Sequence, residues 1–133
     1  MLIRRYTPRD EPALFRLLTE AGPDWFEYAF EPGRTRYVRA LGHSVTYLAL
    51  EEPDVIGYAR CREDDGFGIY VCDLLVAMPY RGRQIGRLLM EQACADYPDQ
   101  TVYVMSDVDG YYEKLGYERA GSIFIVRPRQ QEF

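Results

Sequence analysis

Cysteine is scarce in this chain and poorly spaced. Cys61, Cys72 and Cys94 form an odd set with no close pair. That excludes a disulfide framework and a cysteine-based zinc motif, so no metal is expected. Each thiol reads as a small, reduced core residue of a cytosolic protein. Histidine is nearly absent too: His43, the single one, heads a strand-like run far in sequence from every other candidate group and reads as structural or surface. No apolar run approaches the length of a membrane span. The first residues, Met1 to Glu11, lack an apolar signal core, so a cytoplasmic location without a membrane partner is expected. Positive charge is in deficit, with a net charge of −5, which argues against nucleic acid or an anionic membrane; the acidity reads first as an aid to solubility and only mildly favours a cationic partner. Repeats, low-complexity stretches and internal linkers are missing, as are Gly-x-x-x-x-Gly-Lys-Ser/Thr and Gly-x-Gly-x-x-Gly.

What remains is an ordinary globular composition. The 133 residues are 47% apolar and include twelve tyrosines. A chain of this size buries roughly two-thirds of its unfolded surface and needs no staple, so one domain over 1–133 is expected. Residues 2–6 read as a strand. Thr7-Pro8 opens a helix over about 8–20, with Ala13, Leu14, Leu17 and Leu18 as its apolar stripe. Residues 24–42 read as irregular or weakly helical. Strand runs follow at His43–Leu50, Val55–Arg62 and Phe67–Val76, then a helix from Ile85 to Asp96 with Ile85, Leu88, Leu89 and Ala93 on one face. Thr101–Met105 reads as a buried strand, Ser106 as the cap of a short helix ending at Gly116, and Gly121–Val126 as a last strand before a polar tail, Arg127–Phe133. A meander followed by strand–helix–strand units predicts a mixed sheet with helices on its faces, an α/β or α+β domain.

The stretch from Val76 to Leu89 carries the most chemistry. A strand ends, a short loop dense in Arg and Gly follows, and a helix begins at Ile85. Such a loop presents unpaired backbone N–H groups at the positive end of the helix dipole, a site for a phosphate. Arg81, Arg83 and Arg87 add full charges that bind phosphate oxygens two at a time.

This order, with Arg81-Gly82-Arg83-Gln84-Ile85-Gly86 after the central strand and Tyr111-Tyr112-Glu113-Lys114-Leu115-Gly116-Tyr117 near the end, resembles the GNAT superfamily of acetyl-CoA-dependent N-acetyltransferases. The resemblance spans nearly the whole chain. It implies a mostly antiparallel sheet with splayed central strands, flanked by about four helices. The family's phosphate motif, Gln/Arg-x-x-Gly-x-Gly/Ala, falls on residues 81–86, with Gln84 in place of the middle glycine. A helical backbone is expected at Gln84, since a positive φ there would cost about 1–2 kcal/mol. The resemblance implies that acetyl-CoA lies on Leu75, Val76, Arg81, Gly82, Arg83, Gln84, Ile85, Gly86 and Arg87, with oxyanion donors from the backbone of residues 74–76. It also places Tyr112 beside the departing sulfur, within a Phe/Tyr-Tyr-x-x-x-Gly-Phe/Tyr pattern.

The implied activity is direct acetyl transfer to an amine of a small molecule or peptide, with no acyl-enzyme and no role for the cysteines. Asp73, on the central strand, is the carboxylate best placed to hold the amine or relay its proton, although Glu27, Glu31 and Glu51 stay open. The aromatic group Trp25, Phe26, Tyr28 and Phe30 either walls the acceptor site or packs the core. Two other readings remain at this level: a catalytically weak acyl-CoA sensor or scaffold of the same fold, and a different phosphate binder. Monomer and homodimer are both open.

Overall fold

The strand runs pair in chain order. The computed structural model describes residues 1–129. Its elements are β1 (Leu2–Arg5), α1 (Glu11–Glu20), α2 (Phe26–Ala29), α3 (Gly33–Gly42), β2 (Val45–Glu51), β3 (Asp54–Glu63), β4 (Ile69–Val76), α4 (Ile85–Asp96), β5 (Val102–Val104) and α5 (Asp109–Lys114). They build one five-stranded sheet in the order β1-β2-β3-β4-β5. Each neighbouring pair is antiparallel except β4 and β5, which run parallel. A parallel pair needs a crossover, and α4 supplies it.

Each face of the sheet is covered. On one face, Leu14, Phe15, Leu17 and Leu18 of α1 and Tyr37 and Leu41 of α3 pack against Leu48, Leu50, Tyr58 and Leu75. On the other, Ile85, Leu89, Met90 and Ala93 of α4 pack against Tyr47, Ala49, Ile56, Ala59 and Val71. Six consecutive residues of β2, Val45 to Leu50, are therefore buried, as a strand sandwiched between helix layers requires. Gly57 on β3 lets α4 settle: a Cβ there would lie 3.1 Å from the Leu75 carbonyl oxygen and 3.4 Å from Leu89 Cδ1. At the chain start, the Thr7 N–H donates to Asp10 Oδ2 at 2.7 Å and the Asp10 N–H donates to the Thr7 carbonyl at 2.8 Å. This fixes the entry to α1.

Four sequence expectations need correction. Residues 33–42 form a regular helix, α3, whose buried Tyr37 and Leu41 sit one turn apart. Arg36 and Arg39 are exposed on the other side of the helix and mask the stripe. On α4 the buried stripe takes Met90, while Leu88 is only half-buried. Cys61 is buried, but Cys72 is half-buried and Cys94 exposed. Finally, 121–126 is not a strand: Ile123, Phe124, Ile125 and Val126 are exposed, at 66%, 83%, 76% and 92%. Among the described residues the outer edge of β5 is unpaired, so β-forming composition alone does not make this run pair. The last four residues of the tail, 130–133, lie outside the described residues.

Candidate active site

The site grows out of one extra residue in β4. Arg60 pairs with Asp73, but the next residue of β3, Cys61, pairs with Val71. Cys72 is the unmatched residue, a β-bulge. A bulge bends its strand and exchanges the faces of everything beyond it. Ile69 and Val71, before the bulge, face α4. Beyond it Leu74 and Val76 face α4, while Asp73 lines the cavity described below and Leu75 faces α1 and α3. Pairing with β5 stops at the same point: Ile69, Tyr70 and Val71 match Val102, Tyr103 and Val104, and none of Cys72 to Val76 has a partner there.

This gap holds a cavity of about 450 Å³. Asp73 lines it together with Tyr112 of α5, Trp25 and Tyr28 from the first helical layer, and Asp24 and Asp107. Cys72, Leu74 and Ile123 are also on its surface.

Asp73 is 9% exposed. Its Oδ2 accepts from the Tyr37 hydroxyl at 2.7 Å and from Arg60 Nε at 2.6 Å. The Tyr37 hydroxyl also lies 2.7 Å from that of Tyr58, and Arg60 Nη1 donates to Ser44 Oγ at 3.2 Å. Burial pushes both tyrosine hydroxyls far above their usual range. Burial works against the Arg60 charge, but Asp73 outweighs it and holds the guanidinium above its usual range. Among the described residues Asp73 Oδ1 has no hydrogen-bond partner.

The backbone of the unpaired half of β4 alternates. The Ala77 N–H donates to the Ile56 carbonyl at 2.8 Å, so the odd-numbered amides face β3 and those of Leu74 and Val76 face the gap. Leu75 turns its amide to β3 and its side chain into the core, at 5% exposure.

Past Val76 the loop reaches α4 with Arg81, Gly82, Arg83 and Gln84 exposed and Ile85 and Gly86 buried beneath them. Leu88 is the first amide to bond within the helix, to the Gln84 carbonyl at 3.0 Å. Among the described residues the amides of Gly82 to Arg87 have no acceptor. That run of donors at the head of a twelve-residue helix fits a pyrophosphate. Gly82 stands at φ +82° with open space where a Cβ would go. Gln84 corrects the sequence expectation: at φ 66°, ψ 15° it is left-handed, not helical. The loop needs the glycine-type geometry, and Gln84 adopts it at a cost of about 1 kcal/mol.

The arginines divide. Arg81 Nε donates to the Val76 carbonyl at 3.0 Å. Arg83 lies over the Tyr80 ring, 5.2 Å from its centre. Arg87 turns along the helix to Gln84 and Glu91.

Helix α5 links the loop to the cavity. A Cβ on Gly86 would meet the Tyr111 hydroxyl at 2.6 Å and Leu74 Cδ2 at 3.7 Å. Tyr112, half-buried, packs edge-on against Tyr111 and stacks with Tyr117. Gly116, at φ +81°, closes the helix as expected. Burial raises the Tyr112 hydroxyl above its usual range, with Tyr111 and Asp107 adding to the effect.

The other sequence candidates lie elsewhere. His43 is exposed at the end of α3. Glu31 accepts from the Thr35 N–H and hydroxyl, and neither Glu27 nor Glu51 lines the cavity. Of the aromatic group, Trp25 and Tyr28 wall the cavity, whereas Phe26 and Phe30 pack on each other in exposed positions. Tyr37, Tyr58 and Arg60 were not foreseen, because nothing local in sequence ties them to Asp73.

A family model described as "Acetyltransferase (GNAT) family" matches residues 12–117. The chain belongs to the GNAT acetyltransferase family. An uncharacterized N-acetyltransferase, ycf52, of Porphyra purpurea is 27% identical over 88 residues, 59% of this chain and 51% of that protein. A protein named histone acetyltransferase TAP1, of Glycine max, is 29% identical over 94 residues, 64% of this chain and 41% of its own length. This GNAT chain thus spans about half the length of the curated relatives it matches. Among solved structures, a GNAT-family acetyltransferase from Streptococcus pneumoniae TIGR4 superposes with a TM-score of 0.68 at 26% identity, covering 96% of this chain and 98% of that one. The aminoglycoside N-acetyltransferase AAC(6')-Iy, in complex with CoA, superposes at 0.72 with 13% identity over 97% and 100% of the two chains. At that identity the likeness is one of fold. Among the described residues no helix is long and apolar enough to cross a membrane.

Proposed function

We propose that this protein, folded as one domain over 1–133, transfers an acetyl group from acetyl-CoA directly to the amine of a small molecule. The observation that carries this reading is the gap between β4 and β5. It sets Asp73 and Tyr112 on one cavity, beside a loop whose free amides suit a pyrophosphate. In this reading Arg81, Gly82, Arg83, Gln84, Ile85 and Gly86 hold the phosphates, with Arg87 at the margin. Acetyl-CoA supplies the activated acyl group as a thioester.

Attack requires a neutral amine. At pH 7 an alkylamine with pKa ~10.4 resists deprotonation by about 4–5 kcal/mol. Asp73 Oδ1 is free to accept a hydrogen bond from that nitrogen and to orient it. Arg60 and Tyr37 keep the carboxylate fixed from behind. The gap-facing amides of Leu74 and Val76 donate to the carbonyl oxygen as it gains charge. The nitrogen–carbon bond forms, the carbon–sulfur bond breaks, and the amine loses one proton. Tyr112, its hydroxyl kept protonated by burial, donates to the departing sulfur. The products are an acetamide, CoA thiol and one released proton. Burial also raises the Cys72 thiol on the cavity wall, so little thiolate is present to form an acyl-enzyme.

The left-handed Gln84 keeps the loop in a glycine-type path, so acetyl-CoA binding is expected of an enzyme and of a sensor alike, and turnover separates them. The test is calorimetric titration with acetyl-CoA, followed by thiol release across a panel of amines. Binding with turnover on at least one amine is expected. Binding without release on any amine would make the protein a sensor, and no binding would remove the reading.

A further inference from the structure

The charged groups around the cavity have one sign. Asp24, Asp73 and Asp107 line it, and among the described residues no Lys or Arg does. They also lie at two depths. Asp73 is nine-tenths buried with Oδ2 bonded twice and Oδ1 free. Asp24 and Asp107 are exposed, so they stand at the mouth. They come from two separate segments, the turn before α2 and the turn after β5. Among the described residues neither makes a hydrogen bond or ion pair. Between the two levels the walls are aromatic: Trp25, Tyr28 and Tyr112. Aromatic faces attract cations once water is displaced.

Arg60 already offsets the charge of Asp73 from behind. The two carboxylates at the mouth have no such partner, and that surplus identifies the ligand. We propose that the acceptor is a short aliphatic diamine or polyamine. Its reacting nitrogen donates to Asp73 Oδ1, and its second ammonium sits at the mouth between Asp24 and Asp107. This rests on the acetyl-transfer reading above and specifies its substrate.

Three physical arguments support a dication over other amines. A second ammonium held nearby lowers the proton affinity of the reacting nitrogen, because like charges repel, so the neutral amine becomes easier to reach. An acceptor with a carboxylate at its far end would bring that charge against Asp24 and Asp107 and be rejected. A cavity of about 450 Å³ has room for a slim aliphatic chain. The net charge of −5 helps draw cations to the mouth.

The experiment compares three acceptors of equal chain length: diaminobutane, butylamine and aminobutanoate. Each is assayed for kcat/KM by thiol release at saturating acetyl-CoA, and for binding by calorimetry. Diaminobutane should exceed butylamine by about tenfold, the effect of one to two partly screened ion pairs, and aminobutanoate should rank last. In the Asp24→Asn/Asp107→Asn double variant the diaminobutane-to-butylamine ratio should collapse to within about twofold. Equal kcat/KM for diaminobutane and butylamine would overturn the proposal and leave acetyl transfer standing, as would preference for an N-acetyl-lysine amide with a free side chain. If no amine is acetylated, the transfer reading fails and the binding arm decides. Diaminobutane binding about tenfold tighter than butylamine would still support a dication site, and equal affinities would overturn it.

Discussion

The two halves of β4 share one strand and differ in nearly everything else. From Ile69 to Val71 the strand is paired on both sides, its inward side chains are buried hydrophobics, and its outward Tyr70 stacks on Tyr103 with ring centres 5.2 Å apart. From Asp73 to Val76 it is paired on one side only, with a buried ion pair, two unclaimed amides and a cavity along the open edge. Cys72 alone separates them. The closed half contributes stability. The open half has given up ladder hydrogen bonds, and those vacant positions are where a substrate carbonyl can be bound.

Substitutions at matched positions in the two halves should separate these roles. The largest effect is expected at Arg60. Arg60→Leu leaves Asp73 buried without its counter-charge, which costs about 3–5 kcal/mol and lowers Tm by about 10 °C or more for a domain of this size. Arg62→Leu, two residues along β3 and exposed beside the closed half, should stay within about 0.5 kcal/mol. Thermal denaturation of the pair checks this, and equal losses would erase the distinction.

Next comes the loop that continues the open half. Arg81→Glu with Arg83→Glu should weaken acetyl-CoA binding by at least about 100-fold, since each charged contact is worth about 1.5–3 kcal/mol and two are lost. Calorimetry at two salt concentrations would show the wild-type affinity falling with salt and the variant's changing little.

Tyr112→Phe keeps the packing and removes the donor. A drop in kcat of about 10²-fold with unchanged acetyl-CoA affinity is expected. Tyr70→Phe in the closed half should leave kcat as it is. If both variants turn over at the wild-type rate with chemistry limiting, proton delivery comes from water or from Tyr111.

Gln84→Gly relieves the left-handed backbone. A gain of about 0.5–1 kcal/mol, or a few degrees in Tm, should follow. A fall in Tm would mean that the Gln84–Arg87 hydrogen bond outweighs the strain.

Another effect lies away from β4. Arg4 donates twice to Asp10 at 2.8 Å, and this pairing holds the Asp10 carboxyl down at about 2. A folded-state pKa below the unfolded one stabilises above the unfolded value. That contribution is complete above pH ~4 and lost as pH falls toward about 2. Asp10→Asn should flatten the acid limb of a stability–pH curve while leaving the cavity intact.

How much of this could be read from sequence depends on whether the signal is local. Strands β2 to β5 announce themselves as apolar or β-branched runs, and the loop at 81–86 and the Tyr-Tyr pattern at 111–117 are contiguous, so the family resemblance was visible. The bulge was not, because one extra residue in a strand leaves no compositional trace. The partners of Asp73 were hidden for the same reason: Tyr37 and Arg60 lie 36 and 13 residues away from it, and only the folded sheet brings them together. Helix α3 was obscured by its arginines. Gln84 was misjudged because a residue's ordinary preference says helix, while the loop's path into α4 dictates otherwise. The run at 121–126 shows the opposite error, strong β-forming residues that form no strand although, among the described residues, β5 leaves an edge open.

Trp25 is the single tryptophan of the chain, and it forms part of the cavity wall with its ring centre 5.8 Å from that of Tyr28. The protein therefore carries its own optical probe on the cavity wall. Indole emission responds to the polarity and hydration of its surroundings, and every photon from tryptophan here originates beside the cavity. Filling or emptying that space will register as a spectral shift in unlabelled wild-type protein, and stopped-flow mixing can follow the event in real time.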